Sequence, residues 1–135
     1  MSFLGKEYKC YKQENFEGFL KHVGVPEDKI SQLVAAPSAQ KFEKKGDSYS
    51  HVTRTPEGPK EITFKSGVEF EDFIGPEKFK VSVTTFVVDG DTITQTVHGG
   101  DRGNAVFKRE YNGDELLVTI TADGWDSVAK RFYKA

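Results

Sequence analysis

The chain has 135 residues, 19 of them Lys or Arg and 21 Asp or Glu, for a formal charge of −2 at pH 7. This is the length of one domain, taken as residues 1–135, and the balanced charge gives no broad attraction for nucleic acid or for an anionic membrane. Cys10 is the sole cysteine, which excludes an intrachain disulfide, and the opening residues Met1 to Lys6 lack the apolar run of a secretory signal, so a cytoplasmic monomer is expected.

Lys6 to Lys12 sets Tyr8 and Cys10 against Lys9, with Tyr11 and Lys12 alternating less cleanly, and reads as a first strand. Asn15 to Val23 follows as a short amphipathic helix, Asn15 serving as its cap and Phe16, Phe19, Leu20 and Val23 recurring at helical spacing. Pro26 starts a second helix in which Ile30, Leu33 and Val34 share a face until Pro37 stops it. Such a pair has no core of its own, so it is expected to cap an open end of whatever the strands build.

From about residue 39 onward, short β-rich segments alternate with turn chemistry, as in a meander where each strand pairs with the next. The turns are Gly46-Asp47, Thr55 to Pro59, Ser66-Gly67, Gly75-Pro76, Asp89 to Asp91, Gly99 to Gly103, Asn112 to Asp114 and Asp123-Gly124. Eight turns separate nine strands, and the opening segment makes a tenth. The predicted fold is therefore all-β, a ten-stranded antiparallel up-and-down barrel with a two-helix lid between its first and second strands.

Several strands carry polar groups on the face that should point inward. Gln40 shares parity with Phe42; Tyr49, His51 and Thr53 share one face; Gln95 goes with Ile93 and Val97; Arg131 and Tyr133 go with Ala129. A dry core does not tolerate such groups without partners, whereas ten strands enclose more space than side chains fill, so a ligand cavity is expected.

Asn15-Phe16-Glu17-Gly18-Phe19-Leu20 directly after a first strand resembles the corresponding motif of the fatty-acid-binding protein family, the intracellular lipid-binding proteins. The resemblance continues through Gly46-Asp47, Phe64 to Phe70, Arg109 to Asp114 leading into Leu116 to Thr121, and the closing Lys130-Arg131-Phe132-Tyr133. The general look is that of the insect-type members. The resemblance implies a clam-like barrel that transports a long-chain fatty acid without chemistry on it and without a cofactor. It places the carboxylate-binding arginine and tyrosine at Arg131 and Tyr133, and a further arginine at Arg109, acting directly or through water. Residues two apart on a strand project to one side, which independently puts the Arg131 guanidinium and the Tyr133 phenol together. Arg109 lies two strands away, roughly 10 Å across the sheet at about 4.8 Å per strand. Two inward arginines repel one another unless an anion lies between them. Phe16, Val118 and Ile120 are expected as apolar wall, and Gln40, Tyr49, His51, Thr53 and Gln95 as polar lining.

The chain departs from the family pattern at Cys10, where an aliphatic residue is usual, at Glu7, and in the turn Thr55 to Pro59, which lacks the bulky apolar residue many members use at the ligand portal. Cys10 is expected to be an inert buried thiol. His22, His51 and His98 follow no metal-ligand spacing. Gly99 to Gly103 lacks the lysine and following helix of a phosphate loop and reads as a hairpin. Lys12, Lys21 and Lys29 near the lid suit transient membrane contact during ligand transfer. Three other readings compete: a retinoic-acid carrier, a small lipid-modifying enzyme using His51 with Tyr49, and an oligonucleotide-binding barrel, which the charge balance disfavours.

Overall fold

A computed structural model describes residues 3–35, 38–55, 58–74, 80–98 and 103–135. In chain order the elements are β1 (Tyr8–Glu14), α1 (Phe16–His22), α2 (Glu27–Ala35), β2 (Ala39–Lys45), β3 (Ser48–Thr55), β4 (Gly58–Phe64), β5 (Phe70–Ile74), β6 (Lys80–Asp89), β7 (Thr92–His98), β8 (Asn104–Asn112), β9 (Glu115–Ala122) and β10 (Ala129–Lys134). All ten strands belong to one sheet of order β4-β3-β2-β1-β10-β9-β8-β7-β6-β5, so the first and last strands pair and the sheet wraps into a nearly closed barrel. The predicted strand number and the position of the two helices hold. The turn Gly75-Pro76, residues 99–102 of the turn Gly99 to Gly103, and residues 56–57 of the turn Thr55 to Pro59 lie outside the described residues.

Local chemistry accounts for the tight hairpins. The loops joining β2 to β3, β6 to β7 and β8 to β9 each consist of Gly followed by Asp, and Gly46, Gly90 and Gly113 take φ of 64°, 61° and 63°. A first central residue at positive φ, with the second not, is the pattern of type II′ turns, whose twist matches that of the flanking strands and which favour glycine at that place.

The meander is interrupted once. β4 and β5 stand at opposite ends of the sheet order and form no ladder with each other among the described residues, contrary to the expectation that each strand pairs with the next. The connecting segment spends its hydrogen bonds on β6 instead, Gly67 N donating to Phe86 O at 2.8 Å and Ser66 Oγ accepting from Val88 N at 2.9 Å. Stacked rings of Phe64 and Phe70, 6.2 Å apart, span the seam between β4 and β5.

Aromatic plugs close the two ends. At one end Phe3 stacks on Tyr111 with centroids 4.0 Å apart, and the Tyr8 hydroxyl donates to Gly113 O at 2.8 Å. At the other, Phe19 of α1 meets Phe107 edge-on at 5.6 Å and Trp125 at 6.0 Å, while His22 Nε2 lies 3.0 Å from Asp123 O. Asn15 occupies the expected cap position, but its side chain makes no capping bond to α1. Its backbone is left-handed, φ 57°, a conformation Asn tolerates better than most residues. Its amide nitrogen instead donates to Val128 O at 3.3 Å, tying the lid to the segment before β10. Gly18 permits this, because a Cβ there would collide with Asn15 Oδ1. No helix among the described residues is long and apolar enough to cross a membrane.

Candidate functional site

Antiparallel pairing lines up one row of inward side chains across four strands. Gln13 of β1 faces Arg131 of β10, Arg131 faces Val118 of β9, and Val118 faces Arg109 of β8. The predicted separation of the two arginines, one strand between them, follows from this register. Tyr133 and Leu116 sit in the next row beside Cys10, and Ile120 one step the other way beside Ala129. Val118, Ile120 and Tyr133 are buried.

Arg109 is 5% exposed. Its Nε donates to Gln40 Oε1 at 2.8 Å, a bond that spans the barrel interior from β8 to β2. The guanidinium carbon lies 5.6 Å from the ring centres of both Phe42 and Phe86. Gln40 Oε1 also meets His51 Nε2 at 3.2 Å. Since arginine only donates, the atom of Gln40 that faces both groups is the oxygen, and His51 must carry its proton on Nε2. His51 stacks on Phe42 at 4.3 Å. Burial, reinforced by Arg109 and Lys60, holds His51 well below the usual histidine range, so the ring is neutral at pH 7.

Arg131 projects toward the lid. Its guanidinium carbon lies 4.3 Å from the Phe16 ring centre and 5.5 Å from that of Tyr133. Arg131 Nε and Arg109 Nη1 are buried without hydrogen-bond partners among the described residues. Among the described residues no carboxylate pairs with either arginine, although surface lysines pair freely, as in Lys45 with Glu61 at 3.0 Å and Lys21 with Glu17 at 3.3 Å. Burial depresses the Arg109 pKa, and the neighbouring charge of Arg131 adds to the effect, while Tyr111 and Tyr133 oppose it. Two cations therefore share a poorly solvated space with no protein anion between them. Outside the Phe16 ring, where β1, α1 and α2 meet, a cleft of about 450 Å³ is lined by Gln13, Phe16, Lys21 and Val34 among others.

The remaining expected lining residues divide. Thr53 is in register with Gln40, and Gln95 with Phe86 and Phe107, all on the inner face. Tyr49 is half-buried and stacks on Phe64 at 5.7 Å, so it belongs to the aromatic packing and does not join the arginine network. Cys10 is half-buried, more open than expected, and its thiol donates to Lys12 O at 3.5 Å. Four residues escaped the sequence reading of the site: Phe42 and Phe86, which face Arg109; Tyr111, whose buried hydroxyl has no partner; and Gln13. Shared parity with Gln40 and with Arg109 marks Phe42 and Tyr111, whereas no local signal marks Gln13. Among the described residues no group of three or more His, Cys, Asp or Glu is placed to hold a metal.

No protein-family model matches the chain. Fatty acid-binding protein 2 of Manduca sexta is 53% identical over 135 residues, covering 100% of each chain. Fatty acid-binding protein 1 of the same organism is 46% identical over 136 residues, again 100% of each. The solved structure of a fatty-acid-binding protein isolated from Manduca sexta superposes with a TM-score of 0.91 at 51% identity, over 98% of this chain and 99% of that one. Barrel, lid and full-length similarity agree: the chain belongs to the fatty-acid-binding protein family, whose members are carriers and not enzymes, as an insect-type member.

Proposed function

We propose that this chain binds and transports long-chain fatty acids non-covalently in the barrel interior, the carboxylate held by Arg131 and Tyr133 with Arg109 acting directly or through water. One observation carries the reading: two arginines face the interior, each with a buried nitrogen that has no partner, and no protein carboxylate pairs with them among the described residues. A buried unpaired cation is expensive, and a ligand carboxylate relieves that cost while its chain gains about 0.8 kcal/mol per buried methylene against walls such as Val118 and Ile120. The names of the relatives point to the same ligand class. Of the lysines considered for membrane contact, Lys12 pairs with Glu14 and Lys21 with Glu17, each at 3.3 Å, which reduces the positive charge the lid presents.

Titration calorimetry of lipid-free protein with oleate at neutral pH tests the proposal. Saturable binding at or below micromolar concentration is expected, and its absence would overturn the reading. Arg131→Ala is expected to weaken oleate by about 10- to 100-fold while changing oleyl alcohol little, from the loss of charge-assisted hydrogen bonds. An equal loss for both ligands would remove the carboxylate role. Competition by retinoic acid measures how far the site distinguishes one carboxylate lipid from another.

A further inference from the structure

We infer that Gln13 is a specificity-determining residue of the head-group site, selecting fatty acids that carry a hydroxyl on the carbon next to the carboxylate. This deepens the proposed function and rests on Arg131 as the carboxylate's partner.

The inference begins with an irregularity in β1. Cys10 faces Tyr133 on β10, and unbroken alternation would next bring Lys12 opposite Arg131 on the inner face. The register slips by one residue between Cys10 and Lys12, so that Lys12 faces Phe132 and Gln13 faces Arg131. Such a bulge re-aims side chains. Tyr11, 54% exposed, and Lys12 are both left outside, where the Lys12 ammonium lies 5.1 Å from the Phe132 ring centre and pairs with Glu14. One extra residue thus replaces a cation, which would repel Arg131 inside the barrel, with a neutral amide.

The amide is oriented. Gln13 Nε2 donates to Val34 O of α2 at 3.1 Å, which fixes Oε1 as the other end of the group. That oxygen is buried and has no hydrogen-bond partner, and neither does Arg131 Nε on the residue directly opposite. Opposed residues on paired strands have Cα atoms about 4.5–5.5 Å apart, so the two side chains leave the wall together. The site therefore offers an open donor on Arg131 and an open acceptor on the residue directly opposite, with the Phe16 ring over the guanidinium.

A plain carboxylate has only acceptors. It answers Arg131 but leaves Gln13 Oε1 unpaired beside a negative group, an arrangement that costs affinity. A 2-hydroxy acid answers both, its carboxylate accepting from the guanidinium and its hydroxyl, one carbon away, donating to Gln13 Oε1.

The test is calorimetric titration of lipid-free protein with palmitate, 2-hydroxypalmitate and 2-methoxypalmitate, which keeps an oxygen on the same carbon, adds one methyl group and has no donor. On the unmodified chain 2-hydroxypalmitate is expected to bind about three- to tenfold more tightly than palmitate, the worth of one net hydrogen bond, and 2-methoxypalmitate no more tightly than palmitate. In Gln13→Met the ratio of 2-hydroxypalmitate to palmitate affinity is expected to fall to about one; loss of the Val34 tether affects both ligands and cancels in that ratio. Equal or weaker binding of 2-hydroxypalmitate by the unmodified chain, an equal gain with the methyl ether, or a gain that survives Gln13→Met would each overturn the inference. The ligand series on the unmodified chain decides it even where the variant does not fold. Failure of palmitate itself to bind would instead overturn the fatty-acid reading, so the two failures are distinct.

Discussion

Replacing Arg109 with methionine should leave the lipid-free protein at least as stable as the parent and make it a worse fatty-acid binder. Arg109 is 5% exposed and, among the described residues, makes one hydrogen bond, to Gln40 at 2.8 Å, and leaves Nη1 without a partner. The substitution removes a charge-assisted hydrogen bond of about 1.5–3 kcal/mol and two desolvated contacts with Phe42 and Phe86 at about 2 kcal/mol each. Against these losses, it removes an unsatisfied buried donor costing about 1–3 kcal/mol and the desolvation of a buried ion, a penalty of several kcal/mol. Gln40 Oε1 is not stranded, because His51 Nε2 still donates to it at 3.2 Å. Methionine, unbranched and polarizable, fills the space between the two rings. The balance lies between neutral and about 4 kcal/mol in the variant's favour, the range seen when buried ion pairs give way to well-packed apolar residues. Equilibrium urea unfolding of lipid-free protein at pH 7.4 measures this, and oleate titration of the same samples should show affinity falling about tenfold or more. A methionine variant less stable than the parent by more than about 1 kcal/mol would mean that the guanidinium is compensated within the lipid-free barrel, contrary to this prediction.

The neutral, buried His51 predicts a pH dependence. Its folded-state pKa lies well below the ordinary value, first through burial and then through Arg109 and Lys60. The unfolded chain therefore takes up the proton first, and the stability linked to this group is complete above about pH 6.5 and declines as pH falls, by about 1.4 kcal/mol per unit, until the depressed value is reached. Unfolding of the parent and of His51→Gln across pH 7 to 5 should diverge with that slope, and parallel curves would mean that His51 does not carry the effect. Tyr111→Phe removes a hydroxyl that is buried without a partner and should stabilise the lipid-free protein by about 1 kcal/mol in urea unfolding. A loss of similar size would show that the hydroxyl is satisfied in solution.

Much of the barrel is readable residue by residue because its rules are local. The three Gly-Asp loops declare their hairpins, since positive φ at the first position demands glycine whatever surrounds it. Arg131 and Tyr133 are two apart on one strand, so their shared face follows from the strand itself and needs no partner. The role proposed for them, and for Arg109, rests on the family resemblance, because geometry alone leaves it open.

Other features depend on contacts between distant segments. Gln40 and Arg109 stand 69 residues apart in the chain and meet only because the sheet closes on itself. Asn15 reads as a helix cap, yet the carbonyl it serves belongs to Val128. The seam between β4 and β5 arises because Ser66 and Gly67 find hydrogen bonds on β6. Gln13 is the sharpest case. Alternation from Tyr8 and Cys10 assigns the inner face to Lys12, and the pattern stays valid only while the register does. The pairing of β1 with β10 inserts the bulge, and from that point every later side chain of β1 changes face. The strand residues alone determined that β1 would form and what its first half would bury; which residue meets Arg131 was decided by tertiary pairing, because the cost of setting a lysine beside Arg131 exists only once β10 is alongside.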